Sequence, residues 1–145
     1  MQDKILVIDD EKSVRTMAVN VLSKKYQVEA KSNGKEAVEW IEKKNYLSLI
    51  LLDLMMPLMN GFEFIKYIKS SATLNNIPII VLSGTESMDD RKKCGELGVK
   101  EFLRKPFNPN ELEFAIQKVI NMMRIENMKK ISEQIKSLSN RNKEQ

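Results

Sequence analysis

The stretch Leu49-Ile50-Leu51-Leu52-Asp53 places an ionisable carboxylate directly after four large aliphatic residues. A second run, Ile5-Leu6-Val7-Ile8, ends in the pair Asp9-Asp10. An ionised carboxylate loses its hydration in a protein core, so acidic residues beside buried strands need a polar crevice. Both runs satisfy this requirement if they are parallel strands whose carboxyl ends open into one crevice. Three carboxylates in one crevice repel each other, and the pattern therefore predicts a bound divalent cation.

Apolar runs of this kind alternate with helically spaced apolar residues along most of the chain. The predicted strands lie at residues 5–8, 27–30, 47–52, 78–82 and 101–104. A helix is predicted after each strand: apolar residues recur at intervals of three and four in most of them, residues 87–97 form a polar helix, and Asn108 or Asn110 caps the last one. Strict alternation favours an α/β, doubly wound fold with a five-stranded parallel sheet. Ligands of such sheets bind outside the carboxyl ends of the strands.

The size and composition of the chain limit the classes of protein to which it can belong. A length of 145 residues predicts one domain, and a hydrophobic share of 42% suffices for a core. No apolar run approaches the ~20 residues of a membrane span, and no signal peptide precedes the first strand, so we expect a soluble cytoplasmic protein. The single cysteine, Cys94, excludes an internal disulfide and is expected to be a buried or half-buried apolar residue. The absence of histidine excludes serine–histidine and cysteine–histidine catalysis.

The last 22 residues differ from the rest of the chain in charge and pattern. Residues 124–145 carry six basic and three acidic side chains, a net +3 that leaves +1 of the total +4 for the remaining residues. No aromatic residue follows Phe114 to stack on bases, so nucleic-acid binding is not expected of this chain alone. Apolar residues continue here at 3-4-3 spacing. This segment is interpreted as a coiled coil, as a linker to an output domain or as a frayed tail, and the three alternatives stay open. The apolar residues are Met128, Ile131, Ile135 and Leu138.

Four motifs at the ends of predicted strands give residues 4–123 a specific resemblance. The motifs are Asp9-Asp10, the run Asp53-Leu54-Met55-Met56-Pro57 with Gly61 following, Ser83-Gly84, and Lys105-Pro106. Together they make the sequence similar to the receiver domain of two-component response regulators. The resemblance implies a flavodoxin-like fold with strand order 2-1-3-4-5, a receiver domain at 1–123 and a helical extension at 124–145. It also implies a phosphorelay switch that catalyses only its own phosphorylation and dephosphorylation.

By resemblance, Asp53 is the phosphoacceptor and takes its phosphoryl group from a partner. The partner implied is a sensor histidine kinase or a histidine phosphotransfer protein. The cofactor implied is Mg²⁺, with Asp10, Asp53 and the backbone carbonyl of Met55 as direct ligands and Asp9 acting mostly through bound water. Oxygen ligands with several waters retained are what Mg²⁺ prefers.

The resemblance also assigns residues that respond to the phosphoryl group. Lys105 pairs with Asp53 at rest and with a phosphoryl oxygen afterwards, aimed by a cis peptide bond to Pro106. Ser83 offers its hydroxyl to another phosphoryl oxygen, and Phe102 is the switch aromatic whose turning changes the surface of the fourth helix, fifth strand and fifth helix. Without the resemblance, the same residues would be interpreted as a surface lysine, a helix cap and a core ring.

Met55 and Thr85 occupy the two variable positions that influence hydrolysis of the aspartyl phosphate in this family. Neither side chain is acidic or an amide, so we hypothesise that neither orients an attacking water well. The phosphorylated state is then expected to last longer than in fast chemotaxis-type members.

Several alternatives stand beside this interpretation. A haloacid-dehalogenase-type phosphatase also uses a strand-end aspartate and Mg²⁺, but it requires a second aspartate where this chain has Met55. A degenerate receiver would serve only for docking or dimerisation, against which the intact Asp10, Asp53, Ser83 and Lys105 argue. The chain is a stand-alone receiver, or the receiver of a larger multidomain regulator or hybrid kinase. A homodimer through the fourth-helix, fifth-strand and fifth-helix surface or through the C-terminal helix is left open.

Overall fold

A computed structural model describes residues 2–43, 46–84 and 87–144 of the chain. Strands and helices alternate strictly through these ranges. The strands are β1 (Lys4–Ile8), β2 (Gln27–Lys31), β3 (Leu49–Asp53), β4 (Ile79–Ser83) and β5 (Glu101–Arg104). The helices are α1 (Lys12–Leu22), α2 (Gly34–Glu42), α3 (Gly61–Ser70), α4 (Met88–Glu96) and α5 (Pro109–Lys143).

All five strands are parallel and lie in the order β2-β1-β3-β4-β5, which confirms the predicted fold class and strand order. β1 and β3 are therefore neighbours, with Ile8 opposite Leu52, and their acidic ends share one edge of the sheet. Three strands were predicted to end one residue early. Lys31 pairs with Ile8 and so belongs to β2, Asp53 pairs with Leu82 and so belongs to β3, and Ser83 pairs with Arg104 and so belongs to β4.

The hydrophobic core lies on both faces of the sheet. Alternate residues of a strand point to opposite faces. Leu6 and Ile8 accordingly pack towards α2 and α3, whereas Ile5 and Val7 pack towards α1 and α5. Burial on both faces explains why β1, β3 and β4 are nearly continuous apolar runs. Cys94 is buried on the α2 and α3 face, as the sequence predicted.

Local interactions fix where two of the helices begin. The Asn108 side chain accepts a hydrogen bond from the backbone N–H of Glu111, so Asn108 rather than Asn110 caps α5. α3 begins at Gly61, whose N–H donates to the carbonyl of Leu54 at 2.9 Å. A Cβ on Gly61 would lie 2.6 Å from the Leu54 Cα, so only glycine permits this close approach. The loop that follows Asp53 is thereby held against the start of α3.

The fifth helix is much longer than the others. It runs 35 residues, from Pro109 to Lys143, without a break near Arg124. Its buried side chains end at Ile120, and beyond Arg124 every described residue except Glu126 is exposed. The structure therefore contains a continuous helix at these positions rather than an irregular tail. None of the helices in the described ranges combines the length and hydropathy of a transmembrane span.

Candidate functional site

Three carboxylates meet at the carboxyl edge of the sheet. Asp9 and Asp10 follow β1, Asp53 ends β3, and each offers an oxygen within 4.8 Å of those of the other two. Asp9 is fully buried and Asp53 is 4% exposed, whereas Asp10 is open to solvent. An all-oxygen donor set with one solvent side fits Mg²⁺, which keeps several waters when it binds to proteins. The residues present therefore fit the predicted cation.

Asp9 already uses both of its carboxylate oxygens within the protein. Its Oδ1 accepts a hydrogen bond from the backbone N–H of Glu11 at 2.9 Å. Its Oδ2 lies 2.7 Å from the ammonium group of Lys105 but accepts no hydrogen bond of good angle from the described residues. This second oxygen is thus stabilised mainly by the charge of Lys105, and it retains the capacity to accept a hydrogen bond from a water.

Lys105 joins β5 to the acidic cluster. Its Nζ lies 2.7 Å from Asp9 Oδ2, 2.8 Å from Glu11 Oε1 and 3.6 Å from Asp53 Oδ2. The peptide bond to Pro106 is cis, and the backbone N–H of Lys105 donates to the carbonyl of Ser83 at 2.8 Å. Burial lowers the pKa of Lys105, but the close carboxylate of Asp9, the hydrogen bond to Glu11 and the charge of Asp53 outweigh burial and raise the pKa above its usual value. Lys105 is therefore a permanent cation.

Glu11 is the site residue that sequence reasoning missed. It is the N-cap residue of α1, but its side chain caps no backbone N–H and instead forms the ion pair with Lys105. Its position directly after Asp9-Asp10 is the one sequence signal that marked it. The site therefore holds four carboxylates, and three of them lie within 3.6 Å of the Lys105 ammonium group.

The Asp53 carboxylate is held in a predominantly unfavourable electrostatic environment. Its Oδ1 accepts a hydrogen bond from the backbone N–H of Met55 at 3.2 Å. Burial and the charge of Asp9 outweigh this bond and the attraction of Lys105, and they raise the pKa of Asp53 to about 7. Without a bound cation, the carboxyl group of Asp53 is therefore partly protonated at neutral pH. A bound cation would displace that proton and restore the ionised form.

The other residues predicted for the site differ in how near they lie to the acidic cluster. Ser83 is buried at the end of β4, beside the edge that carries Asp53. Met55 is 67% exposed in the loop after β3. Phe102 is partly buried on β5, and the guanidinium of Arg91 on α4 lies 4.8 Å from the centre of its ring. Thr85 lies outside the described residues.

A family model for the response regulator receiver domain matches residues 5–117. The chain belongs to this family. The resemblance stated from the strand-end motifs is thus confirmed, and receiver domains are signalling modules. The match ends 26 residues before the end of α5, so the outer half of this helix lies beyond the family's shared region.

Relatives and solved structures agree with this assignment. The two-component response regulator ORR3 of Oryza sativa subsp. indica is 34% identical over 80% of this chain and 89% of its own length. The probable transcriptional regulator ycf27 of Porphyridium aerugineum is 38% identical over 82% of this chain, which spans only 48% of that regulator. The chain thus spans about half the length of the ycf27 regulators it matches. The chemotaxis protein CheY4 of Vibrio cholerae superimposes with a TM-score of 0.77 at 32% identity, covering 82% of this chain and 99% of CheY4.

Proposed function

We propose that this receiver domain is a phosphoacceptor switch of a two-component system, with Asp53 as the residue that is phosphorylated. The observation that carries the proposal is the meeting of Asp9, Asp10 and Asp53 at one sheet edge with Lys105 beside them. The donor would be the phosphohistidine of a sensor histidine kinase or a histidine phosphotransfer protein in the cytoplasm. Phosphoryl transfer depends on positioning and charge neutralisation, and this edge provides both.

In the transfer step, a carboxylate oxygen of Asp53 forms a bond to phosphorus as the phosphorus–nitrogen bond of the phosphohistidine breaks. The electron pair of that bond returns to the imidazole ring, which takes up a proton. Asp53 is suited to attack because its backbone is fixed in β3 and its Oδ1 is oriented by the Met55 N–H. The aspartyl phosphate then occupies the solvent side of the crevice.

Asp10, Asp53 and the backbone carbonyl of Met55 would hold Mg²⁺ directly, with Asp9 contributing through water. The contacts support this division, because Asp9 accepts a hydrogen bond from Glu11 and is in an ion pair with Lys105, whereas Asp10 faces solvent. Bound there, Mg²⁺ would offset the repulsion between the carboxylates and the incoming phosphoryl anion.

Lys105 and Ser83 would register the new phosphoryl group. The Lys105 ammonium lies 3.6 Å from Asp53 Oδ2, so a short movement brings it to a phosphoryl oxygen. The Ser83 hydroxyl would take another oxygen, and Phe102 would turn into the space that Ser83 leaves. That turn changes the surface of α4, β5 and α5, which is a two-state response to one local charge event.

The proposal is tested by incubating the full chain with acetyl phosphate and Mg²⁺ and measuring intact mass. We expect one phosphoryl adduct in the wild type, none in Asp53→Ala, and none in the wild type when EDTA replaces Mg²⁺. Asp89→Ala, an exposed aspartate on α4, is the matched control and should accept phosphate normally. An unmodified wild type, or an adduct that persists in Asp53→Ala, would contradict the assignment and favour a receiver used only for docking.

A further inference from the structure

The outer half of α5 carries an apolar face that nothing in the described chain covers. Residues 124–143, called the extension here, follow the part of α5 that packs on the sheet. Four large apolar side chains form a stripe along it: Met128 (69% exposed), Ile131 (56%), Ile135 (61%) and Leu138 (58%). Helices in water are stabilised mainly by burying such a face, so an uncovered stripe on a long helix indicates a binding partner.

We propose that this stripe binds the stripe of a second copy of the chain in an antiparallel pair of helices. The 3-4-3 spacing assigns Met128 and Ile135 to a positions and Ile131 and Leu138 to d positions of a heptad. This spacing is symmetric about Glu133. In an antiparallel pair Met128 therefore faces Leu138 of the other copy, and Ile131 faces Ile135.

The residues that flank the stripe allow two identical chains to approach. The flanking e and g positions next to the stripe are uncharged except for Arg141, and the others are Ile125, Asn127, Ser132, Gln134 and Ser139. The lysines and Glu133 occupy the outer b, c and f positions. Two basic extensions can therefore meet without placing like charges across the contact. Arg141 would lie near Asn127 of the other copy.

The position of the domain on α5 favours the antiparallel over the parallel arrangement. At 3.6 residues per turn, the stripe points about 110° away from the buried face of α5. At the level of Arg124 that flank is already occupied, because Arg124 pairs with Asp3 at 2.9 Å and its charge reaches the Tyr26 hydroxyl. In a parallel pair, the partner's α5 would run on past Arg124 along this occupied flank, next to α1. In an antiparallel pair, the partner's α5 ends at this level, with its Asn142 opposite Arg124.

The pair leaves the switch surface accessible. Glu101 on β5 and Lys118 on α5 form an ion pair at 2.9 Å on the flank of α5 opposite the stripe. The stripe also lies far from the acidic cluster at the other end of the strands. Dimerisation through the extension is therefore independent of the proposed phosphorylation, and Asp53→Ala should dimerise as the wild type does.

The contact between the two stripes holds only four apolar side chains from each copy, which predicts a reversible dimer rather than a permanent one. Sedimentation equilibrium of the full chain over a wide concentration range should show a monomer–dimer equilibrium. Ile135→Glu should weaken dimerisation at least tenfold. Ser137→Glu, which adds the same charge on the outer face two residues away, should leave it unchanged. Both positions are exposed, so neither variant should impair folding, and circular dichroism checks this.

Disulfide cross-linking separates the two orientations. Gln134→Cys should form an intermolecular disulfide, because the two copies of this residue lie side by side in the antiparallel pair. Asn142→Cys should not, since its copies would be about 27 Å apart along the axis. Cys94 is buried and stays in place. Efficient cross-linking through Asn142→Cys alone would overturn the antiparallel assignment. A chain that is monomeric at all concentrations, or that is monomeric and binds anionic phospholipid vesicles through the stripe, would overturn the dimer.

Discussion

The ammonium group of Lys105 lies nearer to Glu11, at 2.8 Å, than to Asp53, at 3.6 Å. Glu11 therefore competes for the cation that the proposed mechanism assigns to the phosphoryl group. It also adds a negative charge to the crevice that an incoming phosphoryl anion must enter. Because Glu11 is half exposed, its ion pair contributes at most about 1 kcal/mol to stability.

Replacing Glu11 with glutamine should accelerate phosphorylation of Asp53 by acetyl phosphate. The neutral side chain keeps its size but releases Lys105 and removes one repulsive charge, which predicts a gain of roughly threefold to tenfold. The rate is measured from intact mass at fixed Mg²⁺ concentration. Glu39→Gln, an exposed substitution on α2, is the charge-matched control. A slower Glu11→Gln variant would show that Glu11 positions Lys105 productively instead of competing for it.

The raised pKa of Asp53 predicts how the stability of the metal-free protein depends on pH. Burial and the charge of Asp9 raise the pKa of Asp53 from 3.8 to about 7, so the folded state prefers the protonated form. The resulting stabilisation is fully present below about pH 4 and is lost as pH rises through about 7. Integrated over this window, the loss is on the order of 2–4 kcal/mol.

The Asp53→Asn variant should not lose this part of its folding stability as the pH rises. In EDTA, the difference in free energy of unfolding between variant and wild type should grow in favour of the variant from pH 5 to pH 8. Urea unfolding at four pH values measures that difference, and titrating groups that do not interact with Asp53 cancel in it. Addition of Mg²⁺ should stabilise the wild type more than the variant. A difference that does not change with pH would mean that the Asp53 carboxyl titrates near its ordinary pKa.

The contact between Arg91 and Phe102 predicts a bias on the orientation of the aromatic ring. A guanidinium over an aromatic face contributes about 0.5–1 kcal/mol at exposed sites, which corresponds to a twofold to fivefold change in population. Arg91→Gln should therefore change the chemical shifts of the Phe102 ring in the unphosphorylated protein towards those of the phosphorylated wild type. Lys93→Gln is the matched control, because the Lys93 ammonium lies 4.1 Å from the ring centre of Phe62 instead. Equal shifts of the Phe102 ring in both variants would contradict a specific role for Arg91.

The exposed side chain of Met55 predicts a slow loss of the phosphoryl group. A thioether cannot orient an attacking water, whereas an amide can donate and accept hydrogen bonds. Met55→Asn should shorten the lifetime of the aspartyl phosphate several-fold, as followed by intact mass after removal of acetyl phosphate. Leu58→Asn, in the same loop and 78% exposed, should not. An unchanged or longer lifetime in Met55→Asn would count against this role.

Most of the fold could be predicted because buried parallel strands have a recognisable composition. β3 and β4 are apolar on both faces, so their sequences mark them as strands, and the acidic residue that ends β3 marks the edge of the sheet. The strand order and the ligand set came from the resemblance to receiver domains. The ends of β2, β3 and β4 were predicted one residue early, because pairing across the sheet rather than hydropathy sets the last residue of a strand.

The parts that sequence did not predict depend on long-range contacts. Glu11 resembles any acidic residue at a helix start until Lys105, 94 positions away, is placed beside it. The cation–π contact of Arg91 likewise depends on how α4 docks on β5. The apolar repeat after residue 123 was visible in the sequence. The side of α5 on which this repeat lies relative to the domain could not be predicted, because it depends on which residues of α5 the sheet buries.

The unbroken course of α5 makes the extension a lever arm. A helix that begins against the sheet and projects about 28 Å past Arg124 converts rotation at its base into translation at its tip. A tilt of only about 5° would displace Lys143 by about 2.4 Å, nearly half of one helical turn. When the extensions are held in a pair, the same tilt at the base of α5 would instead displace the receiver domain by a similar amount and leave the contacts between the two stripes unchanged.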